Sequence, residues 1–180
     1  MNKKVLIGLI ILIILIGLII VLSQNIQIEK ENEIEPEEEI SDVDMRKTMV
    51  VLYYKNVETN ELEQETRLID VKQLINEPYI ILFNLLKETP QNTKLVSVIP
   101  EGTEVNGVQL EQDTLYLDLS KEFIQNHKGG EIEESLTIYS IVNTLTELTE
   151  INSVKILIDG QENMQFQDGK IGFSEAFVRK

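Results

Sequence analysis

EIEESLTIYSIVNTLTELTEINSVKILIDG, residues 131–160, sets a long helical period beside a short β-rich run, and that contrast decides the fold class. Glu131 to Leu148 carries acids in its first turn, where the partial positive charge of a helix N-terminus favours them. It also places Ile132, Leu136, Tyr139, Val142, Leu145 and Leu148 at helical spacing. Gly129 and Gly130 punctuate its entry. Val154 to Ile158 is too short for a core helix and rich in β-branched residues, so it reads as a strand, closed by the turn signal Asp159–Gly160.

Working upstream, Val105 to Leu110 and Thr114 to Leu119 read as a hairpin around Gln112 and Asp113, with Leu115, Leu117 and Leu119 alternating toward one face. A short helical turn follows Ser120. Pro100, Glu101, Gly102 and Thr103 supply the turn chemistry that ends a strand over Leu95 to Ile99. Before that, Asn76, Glu77 and Pro78 start a helix whose buried stripe is Ile81, Leu82, Leu85 and Leu86, ended by Thr89 and Pro90. Met49 to Tyr54 and Leu62 to Asp70 read as the opening strands, and residues after Gly160 as a loose hairpin or tail. Strands and helices alternate without a regular βαβ pattern. The expected fold class is therefore α+β, a mixed sheet with two long helices on one face.

The N-terminus is of a different kind. Val5 to Leu22 contains only Val, Leu, Ile and two glycines, and as a helix it spans about 27 Å, close to the thickness of a bilayer's hydrocarbon core. The run is too long for the apolar part of a signal peptide, and Ser23, Gln24, Asn25 and Ile26 offer no small-residue cleavage pattern, so it reads as an uncleaved transmembrane helix. Lys3 and Lys4 on one side and acids on the other place residues 1–4 in the cytoplasm and the rest of the chain outside it. Residues 23–47 form an acidic flexible linker: nine of the 31 acidic residues lie between Glu29 and Asp44, with Lys30 the only base. Like charges extend such a tract, which reads as a solvated spacer more readily than as an acidic docking site. Residues 48–180 remain for one extracytoplasmic domain of ordinary size.

Composition excludes several functions. The chain has no cysteine, hence no thiolate chemistry, disulfide or cysteine-based zinc site. Its net charge of -15, or about -9 from Met45 onward, opposes binding by charge to nucleic acid or to an anionic membrane surface. The single histidine, His127, lies among Lys128, Gly129 and Gly130 and reads as a surface loop residue lacking a sequence-local catalytic partner. Asp118 and Ser120 put an acid and a hydroxyl two residues apart, yet a serine before a helical turn is commonly its N-cap and an aspartate at a strand end commonly closes a turn. Asp113, Asp159 and Asp168 lack calcium-loop spacing, and no phosphate loop, nucleophile elbow or metal-binding histidine pair occurs. No catalytic, cofactor-binding or metal-binding residue is thus assigned. Glu101 and Asp118 stay open as carboxylates that a cleft could bring together.

Ile99-Pro100-Glu101-Gly102-Thr103, Leu117-Asp118-Leu119-Ser120 with Glu122 and Phe123, Asn143-Thr144-Leu145, and Val154 to Gly160 occur in an order that resembles the GerMN domain family, over roughly Val50 to Ala176. That resemblance implies a non-enzymatic extracytoplasmic domain of spore-forming bacteria, similar to ring-building α/β modules and acting in an envelope channel or complex between mother cell and forespore. It implies partners among other envelope or sporulation proteins, copies of the chain itself included, and no cofactor. The motif residues expected to carry structure or interaction are Pro100, Gly102, Asp118, Ser120, Phe123, Asn143, Thr144, Asp159 and Gly160. Asn143 and Thr144 sit inside the second long helix, either bonding the sheet or facing a partner. The alternative is a cell-wall or small-ligand binding domain, or a weak carboxylate hydrolase.

Overall fold

The structure, a computed structural model, describes residues 16, 20, 46–167 and 169–180. The chain divides into two compact units, Met1–Asp42 and Val43–Lys180. Apart from Ile16 and Ile20, the membrane helix expected over 5–22 and nearly all of the linker over 23–47 lie outside the described residues. Among the described residues no helix is long and apolar enough to cross a membrane.

In the second unit the elements run β1 (Lys47–Asn56), β2 (Leu62–Asp70), α1 (Val71–Asn76), α2 (Pro78–Lys87), β3 (Leu95–Val96), β4 (Val105–Glu111), β5 (Thr114–Leu119), α3 (Glu122–Gln125), α4 (Glu131–Leu145), β6 (Ser153–Ile158) and β7 (Phe177–Val178). The strands make two sheets, β2-β1-β3 and β4-β5-β6-β7, where one mixed sheet was expected. The first is antiparallel throughout; the second is mixed, with β5 and β6 parallel.

The β1–β3 ladder ends at Lys55↔Val96 and Asn56↔Leu95, and two residues further along β1 helix α4 meets the backbone of Tyr53. Tyr53 N–H donates to Thr144 Oγ1 at 3.0 Å, and Tyr53 C=O accepts from Ser140 Oγ at 2.6 Å. Two helix hydroxyls thus satisfy the strand groups that a neighbouring strand would otherwise pair. The long helices α2 and α4 pack on each other and on β1.

Alternation sends Val50, Leu52 and Tyr54 of β1, Leu115, Leu117 and Leu119 of β5, and Val154, Ile156 and Ile158 of β6 into a single hydrophobic cluster shared by both sheets and both helices. Phe83, missing from the expected stripe of α2, is fully buried, whereas Ile81 and Leu85 are only partly so. Helix α4 departs further from the periodic expectation. Glu134, Thr137, Ile138 and every residue from Ser140 to Leu145 are buried, while Ile132 in the first turn is 70 % exposed. A helix enclosed on more than one side does not have one stripe, so the heptad-like pattern selected the wrong first-turn residue.

The C-terminal segment is no loose tail. Phe166 and Phe173 are buried in the same cluster as Phe123, and β7 pairs with Ser153 and Val154 of β6. Helix α1 was not expected at all; Asp70 caps it by accepting from the Lys72 N–H at 2.9 Å.

Candidate functional site

A cleft of about 840 Å³ opens beside the end of β3. One wall is the segment from Val96 to Gly102, the other Asn126, His127 and Lys128, with Lys55 of β1 and Glu133 and Thr137 of α4 between them. Its shape depends on Gly102, which adopts φ +79, a conformation that favours glycine. The preceding Pro100 carbonyl accepts from both Thr103 N–H and the Thr103 hydroxyl, and Asn126 Nδ2 donates to the Glu101 carbonyl at 2.7 Å, tying the two walls together. Lys55 Nζ is paired with Glu133 across the floor.

His127 is half-buried in this cleft, not a loose surface residue. Its Nδ1 accepts from Gly129 N–H at 3.0 Å, Nε2 lies 2.9 Å from Thr137 Oγ1, and the ring packs at 4.5 Å on Phe166. With Nδ1 accepting, the neutral ring carries its proton on Nε2 and donates to Thr137, whose hydroxyl donates onward to a backbone carbonyl, Val98 or Glu133. The imidazole thus joins the loop, the helix and the C-terminal segment. The sequence-local view missed it because these partners come from elsewhere in space or from the backbone.

The motif residues fall into separate groups. Pro100 and Gly102 line the cleft. Asp118, Ser120, Asp159 and Gly160 gather at the ends of β5 and β6. There Asp118 Oδ1 accepts from Gly160 N–H at 2.8 Å, and Asn106 Nδ2 donates to Asp159 Oδ1 at 3.1 Å. Asp159 and Gly160, both at positive φ, form the two-residue turn between Ile158 and Gln161. Ser120 does not cap α3: its Oγ accepts from Glu104 N–H at 3.1 Å, and its hydroxyl bonds the Glu122 carboxylate, holding that group below the usual carboxylate range. Glu101 and Asp118 do not converge. Glu101 lines the cleft and Asp118 a separate groove with Gln109, Glu111, Tyr116 and Glu162.

Phe123 packs on Phe166 and Phe173 at centroid distances of 5.4 and 6.0 Å. Asn143 exchanges two hydrogen bonds with the backbone of Lys180, accepting at 3.2 Å and donating at 3.3 Å. Thr144 belongs to a polar row along α4 in which Glu133 meets Lys55, Thr137 meets Val98, Ser140 and Thr144 meet the Tyr53 backbone, and Glu147 just past the helix accepts from the Tyr53 hydroxyl at 2.8 Å. The spacing of Thr137, Ser140 and Thr144, three and four apart among the apolar residues of the helix, carries that signal in the sequence.

Replacing Thr144 by Val keeps the shape and removes the acceptor, leaving Tyr53 N–H without its bond. We expect a loss of about 1–3 kcal/mol in denaturant unfolding, and a change under a few tenths would show that water replaces the hydroxyl.

Comparison with known proteins gives one family. The Germane family model, described as sporulation and spore germination, matches residues 51–163. Among solved structures, the tandem GerMN domains of the sporulation protein GerM from Bacillus subtilis align at 19% identity with a TM-score of 0.62, covering 81% of this chain and 50% of that one. The first GerMN domain of the same protein aligns at 22% identity and a TM-score of 0.61, covering 73% of this chain and 98% of that one. The chain therefore spans about half the tandem structure and nearly all of a single GerMN domain, and at these identities the likeness is one of fold. No curated protein sequence matches.

Proposed function

We propose, because this chain belongs to the Germane family of sporulation and spore germination domains, that it is a membrane-anchored, non-catalytic interaction module of the cell envelope. In this proposal residues 1–4 lie in the cytoplasm, residues 5–22 hold the chain in the membrane, residues 23–47 act as a tether, and the domain from residue 48 onward stands on the extracytoplasmic side. Its partners are other envelope or sporulation proteins, copies of itself among them.

The observation that carries this proposal is the occupation of the motif side chains. Asp118 holds Gly160 N–H, Ser120 holds Glu104 N–H, Asn143 holds the Lys180 backbone and Thr144 holds Tyr53 N–H. Groups already committed to the backbone position the scaffold, and recognition is left to the surface it presents.

Deleting the gene in its sporulating host and counting heat-resistant spores tests the role. A fall in yield or in germination is expected, and normal values for both would count against it.

The cleft beside Pro100 favours a second reading, a cell-wall or small-ligand site, since it offers charged, amide and apolar groups in one concave space. Saturable binding to purified peptidoglycan that is lost on blocking the cleft with Val96→Trp, at an exposed strand position that lines it, would support this reading over the first.

A further inference from the structure

We propose that the outer edge of β2 pairs antiparallel with β2 of a second copy of this chain, about a two-fold axis at Thr66. Asn56 N–H donates to the Glu61 carbonyl at 2.8 Å, and Val71 N–H donates to the Arg46 carbonyl at 2.9 Å. Both bonds continue the β1–β2 register at its two ends, so between them every second pair is hydrogen-bonded: Tyr54↔Glu63, Leu52↔Glu65, Val50↔Arg67 and Thr48↔Ile69. The N–H and C=O groups of Leu62, Gln64, Thr66 and Leu68 therefore point away from β1. β2 is the outer strand of its sheet, and among the described residues none of these groups has a hydrogen-bond partner. The edge runs for 9 residues without a proline or a bulge, two of the devices that keep an edge strand from pairing.

A second copy is favoured as the occupant because the charges of β2 complement themselves. Thr66 is the midpoint of Leu62–Asp70, so an axis there pairs the strand over its whole length. It also brings outward backbone groups opposite outward backbone groups, with Thr66 facing the partner's Thr66 and Gln64 facing the partner's Leu68. On the inner face the same axis sets Glu65 against the partner's Arg67, and Arg67 against the partner's Glu65. Moving the axis by one residue keeps the backbone groups matched but turns Glu65, or Arg67, against its own copy, and like charges directly opposite are destabilising. Glu65 and Arg67 already bond each other within the domain, so a facing opposite charge extends that pair. On the outer face Leu68, 61 % exposed, gains the stem of the partner's Gln64, a side chain whose amide is held 2.6 Å from the Tyr53 hydroxyl. A closed two-fold contact of this kind uses one surface on both copies. The pairing rests on the reading above that copies of the chain are among its partners.

The absence of cysteine permits a direct test on the purified full chain. Thr66→Cys should form a disulfide-linked dimer under mild oxidation, because facing residues of a hydrogen-bonded antiparallel pair lie about 5.5 Å apart at Cα, within disulfide reach. Gln64→Cys and Leu68→Cys should link poorly with themselves and well with each other when mixed, since an offset of four residues, roughly 13 Å, separates like positions. Ile132→Cys, exposed on α4, sets the background rate. Linking at 66, and of 64 with 68, several-fold above that background supports the pairing. Thr66→Pro removes only an outward N–H and follows an extended residue, so the domain should keep its fold while the dimer is lost in sedimentation. Linking at 66 no faster than at 132 overturns the pairing. So does linking of 64 or 68 with itself faster than with each other, and so does a dimer that survives Thr66→Pro. Unchanged spore counts in the deletion strain together with the link at 66 would remove the sporulation role and leave the pairing standing.

Discussion

Arg67→Ala is expected to destabilise the domain by about 3–5 kcal/mol, the range for removing one partner of a buried ion pair. Arg67 and Glu65 lie on the inner face of β2, 6 % and 8 % exposed, and each nitrogen of the guanidinium makes a hydrogen bond. Nε donates to Glu65 at 2.8 Å, one terminal nitrogen to Glu88 at 2.8 Å, the other to the Thr89 carbonyl at 2.9 Å, and the plane stands 5.4 Å from the Tyr54 ring centre. Without Arg67 the Glu65 carboxylate keeps Asn92 N–H and loses its counter-charge.

The pH profile distinguishes this from a packing loss. Burial raises the Glu65 pKa, but hydrogen bonds from Asn92 N–H and Arg67 together with the Arg67 charge outweigh it, so the group sits below its ordinary value. A depressed carboxylate contributes stability that is full above its unfolded pKa of about 4.5 and lost as pH falls through the folded one. The native protein should therefore lose stability below that pH, and Arg67→Ala should be least damaging where Glu65 is protonated. At the alkaline end the sign reverses. Burial raises the Tyr54 phenol to about 12, so its contribution is full below pH 10 and falls as pH rises between the two values. Glu65→Leu with Arg67→Met should recover most of the loss, because two apolar side chains need no partner. A single variant within 1 kcal/mol of wild type at neutral pH would mean that Glu65 is reached by water.

The second large effect concerns the C-terminal segment. Phe173→Ala should cost about 3–5 kcal/mol, the range for emptying a buried aromatic site. Phe173 is fully buried, 5.1 Å from Phe166 and 6.0 Å from Phe123, and its N–H donates to the Met164 carbonyl at 2.8 Å. Phe166 in turn touches His127. The aromatic group thus couples residues beyond Gly160 to the wall of the cleft. Loss of Phe173 should also expose the His127 ring, read as faster imidazole reaction with diethyl pyrocarbonate. A fall in stability with unchanged His127 reactivity would confine the damage to the core. An effect under 1 kcal/mol would show that the segment is dispensable.

What the chain itself determined is local. Alternation at Leu115, Leu117 and Leu119, the turn-forming pair Asp159–Gly160 and Pro78 at the first turn of α2 follow from the period of each element and from backbone freedom, and they stand in the structure as the residues imply. Tertiary structure decided whatever depends on who lies alongside. The strands close as two sheets where one was expected, and Ser140 and Thr144 acquire their partners from a strand about ninety residues away. Ile132 is exposed although it keeps the helical spacing of the core, and His127 is enclosed although its neighbours are polar. Periodicity records which side of an element is apolar. The number of sides that other elements cover, and the distant backbone group that a buried hydroxyl meets, exist only once the chain has closed on itself.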